Sequence, residues 1–517
     1  MTSDRPDPAV PPDPAVVPDP AVVHGAEGTP PAFSSTRRRV GDGARFCALV
    51  AISGSGDAAG GVQLVAVSSN DGEIAVEEHT VADGRSYASL TPDIPAAAWY
   101  ERKIRDLFGI EPIGHPRPDP LVFPRPAGVH APLGLGGDPA GALRPDAQPL
   151  PAHVHGEGVF TIPYGPVRSG VFETVEYVVE TSGEDIPHLR TRIFYKHRGV
   201  DARFAGMGFD DGALLAEREE GVASVAHALA FSQAVERLGS VTVPLQAELV
   251  RVVHAELERV ANHLDTMIRH TEAAGQAVAY AVFSHHKERV QRLRARLCGS
   301  RFGRGVVVPG GVRRPLGMAP GDLLREIGSL WRVIEEDVRR LMGTPSFVDR
   351  LRGTGVLSQE EARRLAVVGP VGRASGQHED VRTSRPYGAY ERLGHRVAHR
   401  HDRGDALERQ RVRIDEIAGA FHLVRQAVDL LDERGEPDSW RVPVPAAGGR
   451  ALGWVESPSG ELLSVVEAQD GHLTHVTQRS AGFHNLAAYS AAFPKDIFTD
   501  VAFIEASFGL SIAGAAG

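Results

Sequence analysis

The stretch RVVHAELERVANHL, residues 251–264, decides how the rest of the chain is read. Val252, Val253, Leu257, Val260, Ala261 and Leu264 recur at three- and four-residue steps, the spacing of one apolar helix face. The same periodicity runs over Leu245–Leu297 and, before it, over Ala213–Leu238, with charges on the opposite face. GVVVPGG at 305–311 breaks the run, and its Pro309-Gly310-Gly311 suits a tight turn whose backbone comes close to another segment. Further helices are predicted over Leu323–Leu341, Glu360–Val367 and Ala406–Leu431.

Strand-like runs flank the helices. VFTIPYGPV (159–167), VFETVEYVVE (171–180) and LRTRIFYK (189–196) precede them. The segment LGWVESPSGELLSVVEA (452–468) follows them and reads as a hairpin turning at Pro458-Ser459-Gly460. Upstream lie three alternating, β-branched runs at 46–54, 62–69 and 73–81, then the helix-patterned AAAWYERKIRDLFGI at 96–110, closed by Gly109. Pro- and Gly-rich sequence between 112 and 155 forms a connector, so a domain boundary is placed near residue 145. Residues 1–35 repeat a DPAV unit and read as a disordered tail. The expected fold class is α+β: a small α+β domain over 36–145, then a mainly helical domain over 146–517 with small β elements.

Composition removes several function classes. The chain has 517 residues, and 56 Lys+Arg against 66 Asp+Glu give a net charge of −10, so no nucleic-acid partner is expected. Cys47 and Cys298, the two cysteines, cannot build a disulfide framework or hold an iron–sulfur cluster alone. No Gly-rich phosphate loop supports direct NAD binding. The start, MTSDRPDPAV, shows no basic and then apolar leader. The most apolar stretch, Asp496–Gly517, carries Asp500 and Glu505 and reads as a buried C-terminal segment rather than a membrane span.

Two sets of motifs carry a resemblance. Trp99-Tyr100-Glu101-Arg102, Asp106-Leu107-Phe108-Gly109-Ile110 and Gly114-His115-Pro116 resemble the C-type (30-kDa-like) subunit of respiratory complex I. Five later pieces resemble the D-type subunit and its relatives, the large subunits of membrane-bound NiFe-hydrogenases. They are Gly165–Gly170 (GPVRSG), residues 251–264, Val308–Val312 (VPGGV), Gly369–Gly376 (GPVGRASG) and Gly404-Asp405-Ala406. A fused C and D arrangement is similar to the large subunits of formate hydrogenlyase and hydrogenase-4.

The resemblance also exposes a loss. Hydrogenases of this family hold nickel and iron by two C-x-x-C pairs; the matching positions here are Glu220 and Ala223, then Ser511 and Gly514. Without thiolates no nickel–iron centre is expected. The arginine of the hydrogenase Pro-Arg-Gly turn is replaced in Pro458-Ser459-Gly460.

Complex I uses the equivalent cavity for a quinone headgroup, and the resemblance puts His227 and Arg168 at the quinone-holding positions. They become candidate catalytic and quinone-binding residues, with Glu220 as a proton source. The competing reading makes His227 a satisfied core histidine and Arg168 a structural ion pair. His254 and Glu258, four apart on one helix face, suit a capping pair better than a metal pair. His395, His399, His401 and Asp402 are metal-like in type but sit in an Arg-rich loop, where a functional metal is not expected.

The implied function is a subunit of a membrane-associated oxidoreductase of the NADH-quinone oxidoreductase or hydrogenase-4 kind. It would take electrons from an iron–sulfur cluster in a partner small subunit and pass them toward quinone, peripherally on the cytoplasmic face of the cell membrane, beside antiporter-like membrane subunits. The alternatives are a non-catalytic scaffold of an ion-translocating complex and a hydrogenase by homology only.

Overall fold

The computed structural model describes residues 32–53, 61–81, 85–124, 131–133, 158–168, 173–398 and 403–517. The boundary expected near residue 145 and residues 1–31 of the tail lie outside the described residues. An antiparallel sheet of Arg45–Ser53, Val62–Asn70 and Glu73–Val81, in that order, forms the N-terminal layer. The helix Ala98–Phe108 packs on it and ends at Gly109, whose φ of 75° suits a residue without a side chain.

Downstream, Phe160–Tyr164, Glu176–Thr181 and His188–Arg192 form a second antiparallel sheet. Helices then dominate. Leu245–Ala273 is the central one: Leu257, Val260 and Leu264 are fully buried, and it packs against Ala406–Arg434 and Ala277–Cys298. The α+β class follows from these elements.

Two expected helices are divided. Ala213–Leu238 becomes Phe209–Ala216 and Ser224–Leu238, and just past the first of these the Glu217 side chain accepts the backbone N–H of Gly305 at 2.6 Å. Leu245–Leu297 breaks at Gly275, whose φ is +64°. Elsewhere the ends move by a few residues, to Pro320–Met342, Gln359–Arg364 and Ala406–Arg434. The last of these is capped by Asp405, which accepts the Glu408 N–H at 2.8 Å.

The hairpin Gly449–Ser457 and Gly460–Gln469 forms, turning at Pro458-Ser459, and His472–Arg479 adds a third strand. Its glycines permit close approach. A Cβ on Gly453 would stand 1.6 Å from the Ala230 carbonyl oxygen, so the strand lies directly on the helix Ser224–Leu238. The turn of the hairpin meets the GPVGRASG motif, where a Cβ on Gly369 would fall 2.2 Å from the Ser459 carbonyl oxygen. The PGG turn is likewise pressed on a neighbour, with Gly310 facing the Val442 carbonyl oxygen at 1.9 Å from its would-be Cβ.

Under this hairpin lies a buried network of charge. Arg373 donates from Nε and Nη2 to Glu416 Oε1 at 3.1 and 2.6 Å and from Nη1 to Glu456 Oε1 at 3.0 Å. Arg382 grips Asp380 at 3.0 and 2.6 Å and Glu256 at 3.1 Å. Arg259 joins Glu256 to the carbonyl oxygens of Glu456 and Ser457. Four carboxylates thus face three guanidiniums, all out of water.

Burial, reinforced by Asp380, pushes Glu456 up to about 7, whereas Arg259 and Arg382 overcome burial and hold Glu256 down at about 2. The two groups act oppositely on stability. Glu456, raised in the fold, contributes stability that is complete below its ordinary value of 4.5 and is lost as pH rises through about 7. Glu256, depressed, contributes stability that is present above 4.5 and is lost as pH falls toward about 2.

Replacing Glu456 by Gln is therefore expected to flatten the loss of stability between pH 4.5 and 7 in urea unfolding, leaving the acid limb intact; an unchanged profile would contradict the assignment. Gly453→Ala is expected to destabilise the fold by roughly 3 kcal/mol, an overpacking cost set by backbone rather than by a movable side chain. A change under about 0.5 kcal/mol in the same assay would show that strand and helix can separate freely.

Candidate functional site

The turn 217–223 leads into the helix Ser224–Leu238, and the first turn of that helix carries His227, which is fully buried. Its start is fixed by Glu258, which accepts the N–H groups of Val225 and Ala226 at 2.9 and 3.1 Å. Glu258 is thus a helix cap, as expected, but its partner is this neighbouring helix rather than His254. Burial and the nearby Arg294 press His254 down to about 3.

His227 Nδ1 lies 2.8 Å from Gln478 Oε1, and Gln478 Nε2 donates to the His227 carbonyl oxygen at 3.0 Å. That two-point contact fixes the amide, so Nδ1 must carry a hydrogen. Glu220 Oε2 stands 3.3 Å from His227 Nε2. With Nδ1 already protonated, this second contact needs one more proton, on Nε2 or on the carboxyl. The pair shares it. Burial opposes the imidazolium, but the hydrogen bond to Glu220 and its charge outweigh this and raise His227 above its ordinary 6.5. Glu219, beside the pair, is pushed up to about 7 by burial and then by Asp201.

Opposite the pair runs the C-terminal helix Ile512–Ala516. A Cβ on Gly514 would be 2.6 Å from Glu220 Oε2, so the carboxylate fills the space that the glycine leaves open. Ser511 donates to Glu173 Oε1 at 2.9 Å, and Ser480 donates to the Gly514 carbonyl oxygen at 2.6 Å. Arg198 ties both sides together, donating from Nη2 to the carbonyl oxygens of Glu219 at 2.7 Å and Ala513 at 3.0 Å. Ala223 is buried behind them.

Glu220 and Gly514, two of the four positions matched to metal-binding cysteines, are therefore in contact. The donors offered by the set are one carboxylate and one hydroxyl, with no thiolate. Cys47 lies in the N-terminal sheet, and Cys298 ends the helix Ala277–Cys298. These residues do not fit a nickel–iron centre.

Arg168 belongs to a second cluster. Its Nη1 and Nη2 donate to Glu505 at 2.9 and 2.8 Å, and its guanidinium lies 4.7 Å from the centre of the Tyr177 ring and 5.0 Å from that of Tyr164. Tyr177 donates its hydroxyl hydrogen to the same carboxylate at 3.0 Å. Arg168, a candidate quinone-binding residue in the sequence, thus forms a bidentate ion pair with Glu505 that uses one N–H of each terminal nitrogen. His395 lies 3.4 Å from Asp380, while His399, His401 and Asp402 fall outside the described residues. Among the described residues no three His, Cys, Asp or Glu side chains group as a metal site.

Gln478, Glu173 and Arg198 escaped sequence reasoning. Nothing in a strand marks Gln478 as the partner of a residue 251 positions away. Glu505 did leave a signal, as a lone carboxylate inside an apolar run. A cavity of about 640 Å³ lies away from His227, between the N-terminal sheet and residues 363–384, with Arg45, Asp71, Arg364 and Glu379 on its walls.

Comparison with known proteins matches residues 36–134 to the 30-kDa subunit of respiratory-chain NADH dehydrogenase and residues 274–446 to its 49-kDa subunit. Formate hydrogenlyase subunit 5 of Escherichia coli (strain K12) is 29% identical over 396 residues, 75% of this chain and 69% of that one. The C/D subunit of NADH-quinone oxidoreductase from Acidiphilium cryptum is 26% identical over 427 residues, 76% and 72% of the two chains. NADH-quinone oxidoreductase subunit 4 of Thermus thermophilus is 30% identical over 344 residues, 66% of this chain and 80% of that one. The chain therefore belongs to the family of the complex I 49-kDa subunit and the membrane-bound hydrogenase large subunits, with a 30-kDa-type segment fused ahead of it.

Proposed function

We propose that this oxidoreductase subunit takes electrons from an iron–sulfur cluster in a partner small subunit and reduces quinone, with His227 and Glu220 supplying a proton. The observation that carries the proposal is the buried contact of His227 Nε2 with Glu220 Oε2 at 3.3 Å, in the place where the family's metal ligands are expected. Quinone reduction to quinol consumes two electrons and two protons. A buried acid whose hydrogen is already held between two bases is suited to deliver one of those protons. Glu219 lies next to the pair and, held near 7, is suited to refill it.

Arg168, a candidate catalytic and quinone-binding residue in the sequence, takes the role of a positioning residue in this reading. Paired to Glu505, it braces the Tyr164 and Tyr177 rings beside the C-terminal helix Val501–Phe508. Among the described residues no helix is long and apolar enough to cross a membrane. Attachment to the cytoplasmic face would therefore run through antiporter-like partner subunits.

A second reading has its own support: His227 is fully buried with both ring nitrogens engaged, and Glu220 is 3% exposed. A subunit with the site packed shut would serve as a scaffold for an ion-translocating assembly. Turnover separates the two. In the assembled complex, His227→Ala is expected to lower quinone reduction by about 100-fold or more. Glu220→Gln should lose less at low pH and more at high pH, because the carboxylate is what raises His227. Parental rates in both variants would leave the scaffold reading standing.

Metal content is the companion test. Elemental analysis of the purified complex is expected to find no nickel bound to this chain, because Glu220, Ala223, Ser511 and Gly514 provide no thiolate. One nickel per chain would refute this and revive the hydrogenase reading.

A further inference from the structure

We infer that the cleft between the helix Ala98–Phe108, the turn 115–119 and the strand His188–Arg192 binds a small oxyanion, of which phosphate is the simplest. The cleft has a volume of about 210 Å³, with Arg102, Arg117, Arg190 and Arg192 on its walls and Trp99 and Leu365 among its apolar residues. It lies far along the chain from His227 and shares no residue with the proton-holding pair.

The guanidiniums are unequally answered. Arg192 has Glu176 at 3.0 Å, and Arg117 has only a loose contact with Asp119 at 3.6 Å. Among the described residues Arg102 meets no carboxylate within salt-bridge distance; it donates to the carbonyl oxygens of Asp119 and Pro120 at 2.7 and 3.1 Å. Arg190 is the informative one. Its side chain is 9% exposed, one terminal nitrogen lies 2.9 Å from Glu180, and its Nε and Nη1 are buried with no hydrogen-bond partner among the described residues.

A buried guanidinium with idle N–H groups carries a desolvation cost that a protein normally removes with an acceptor. Burial lowers Arg190 first; Glu180 and Asp119 favour its charge, while Arg117 and Arg192 repel it, and burial brings Arg102 down to about 10. An anion entering the cleft would relieve both effects at once, since guanidinium forks match the paired oxygens of phosphate or carboxylate.

Size narrows the class. About 210 Å³ admits one oxyanion and its nearest waters but falls below the usual range for drug- or nucleotide-sized ligands. Position suggests a consequence. Arg102 and Arg117 belong to the 30-kDa-type segment, and Arg190 and Arg192 lie beyond it, so the anion would link the two parts of the fused chain.

Equilibrium dialysis of the purified complex against radiolabelled inorganic phosphate, at constant ionic strength in chloride, tests the site. One phosphate per chain is expected, displaced by sulfate. Arg190→Met and Arg117→Gln should each weaken binding by tenfold or more, whereas exposed Arg301→Gln should not. Arg117 is 40% exposed on its side chain, so its variant stays informative even where Arg190→Met fails to fold. The proposal falls if no saturable phosphate binds, or if both variants bind as the parent does.

Discussion

The grip of Arg373 on Glu416 is the interaction on which the helical part of the chain depends. Glu416 sits on Ala406–Arg434 and Arg373 on the GPVGRASG segment, and the same guanidinium reaches Glu456 on the hairpin. Glu416 also stands 2.9 Å from His263 on the central helix. Four elements distant in sequence are thereby fixed around two side chains. Burying such ions is costly, and removing one partner leaves an uncompensated charge worth about 3–5 kcal/mol. The network is therefore an all-or-none lock: it favours this one arrangement by making every partial one expensive.

That lock explains why the fold tolerates changes at the site. The hairpin, the central helix and the GPVGRASG loop are held by charges beneath them, not by a metal bridging the turn 217–223 to the C-terminal helix. Arg198, Ser480 and Glu173 supply the remaining ties across the site, each to a backbone or hydroxyl group of the 511–514 segment. Hydrogen bonds thus tie the two sides of the site directly.

The helices and the hairpin were legible because periodicity and turn residues are local properties, and the fused order of segments was legible through the family resemblance of its motifs. The pairing of Glu220 with Gly514 was partly legible, through the resemblance that matches both to the family's cysteine positions. The breaks after Ala216 and at Gly275 were not: a lone glycine inside a helical pattern is often tolerated, and the contact of Glu217 with Gly305, 88 residues on, exists only in the fold. The fate of Arg168 was hidden for the same reason. An arginine in a Gly-Pro-Val-Arg-Ser-Gly loop has the same sequence whether it faces a substrate or Glu505, and only the fold decides between them. Gln478, which fixes the tautomer of His227, sits in an ordinary strand pattern.

The two ends of the site changed in complementary directions. Relative to the cysteine pairs it resembles, Glu220 is longer and Gly514 shorter, and the longer side chain occupies the volume the shorter one leaves, 2.6 Å from where a Cβ would be. A glutamate with no such gap would have had to displace backbone, and a glycine with no such neighbour would have left a void; either alone costs stability. Together they keep the interior filled and put an ionisable group against His227. Losing thiolates thus does not leave an inert hole. It converts a place suited to a soft metal pair into one suited to holding a proton, and a proton is what the reduction of a quinone requires from the protein once electrons arrive from elsewhere.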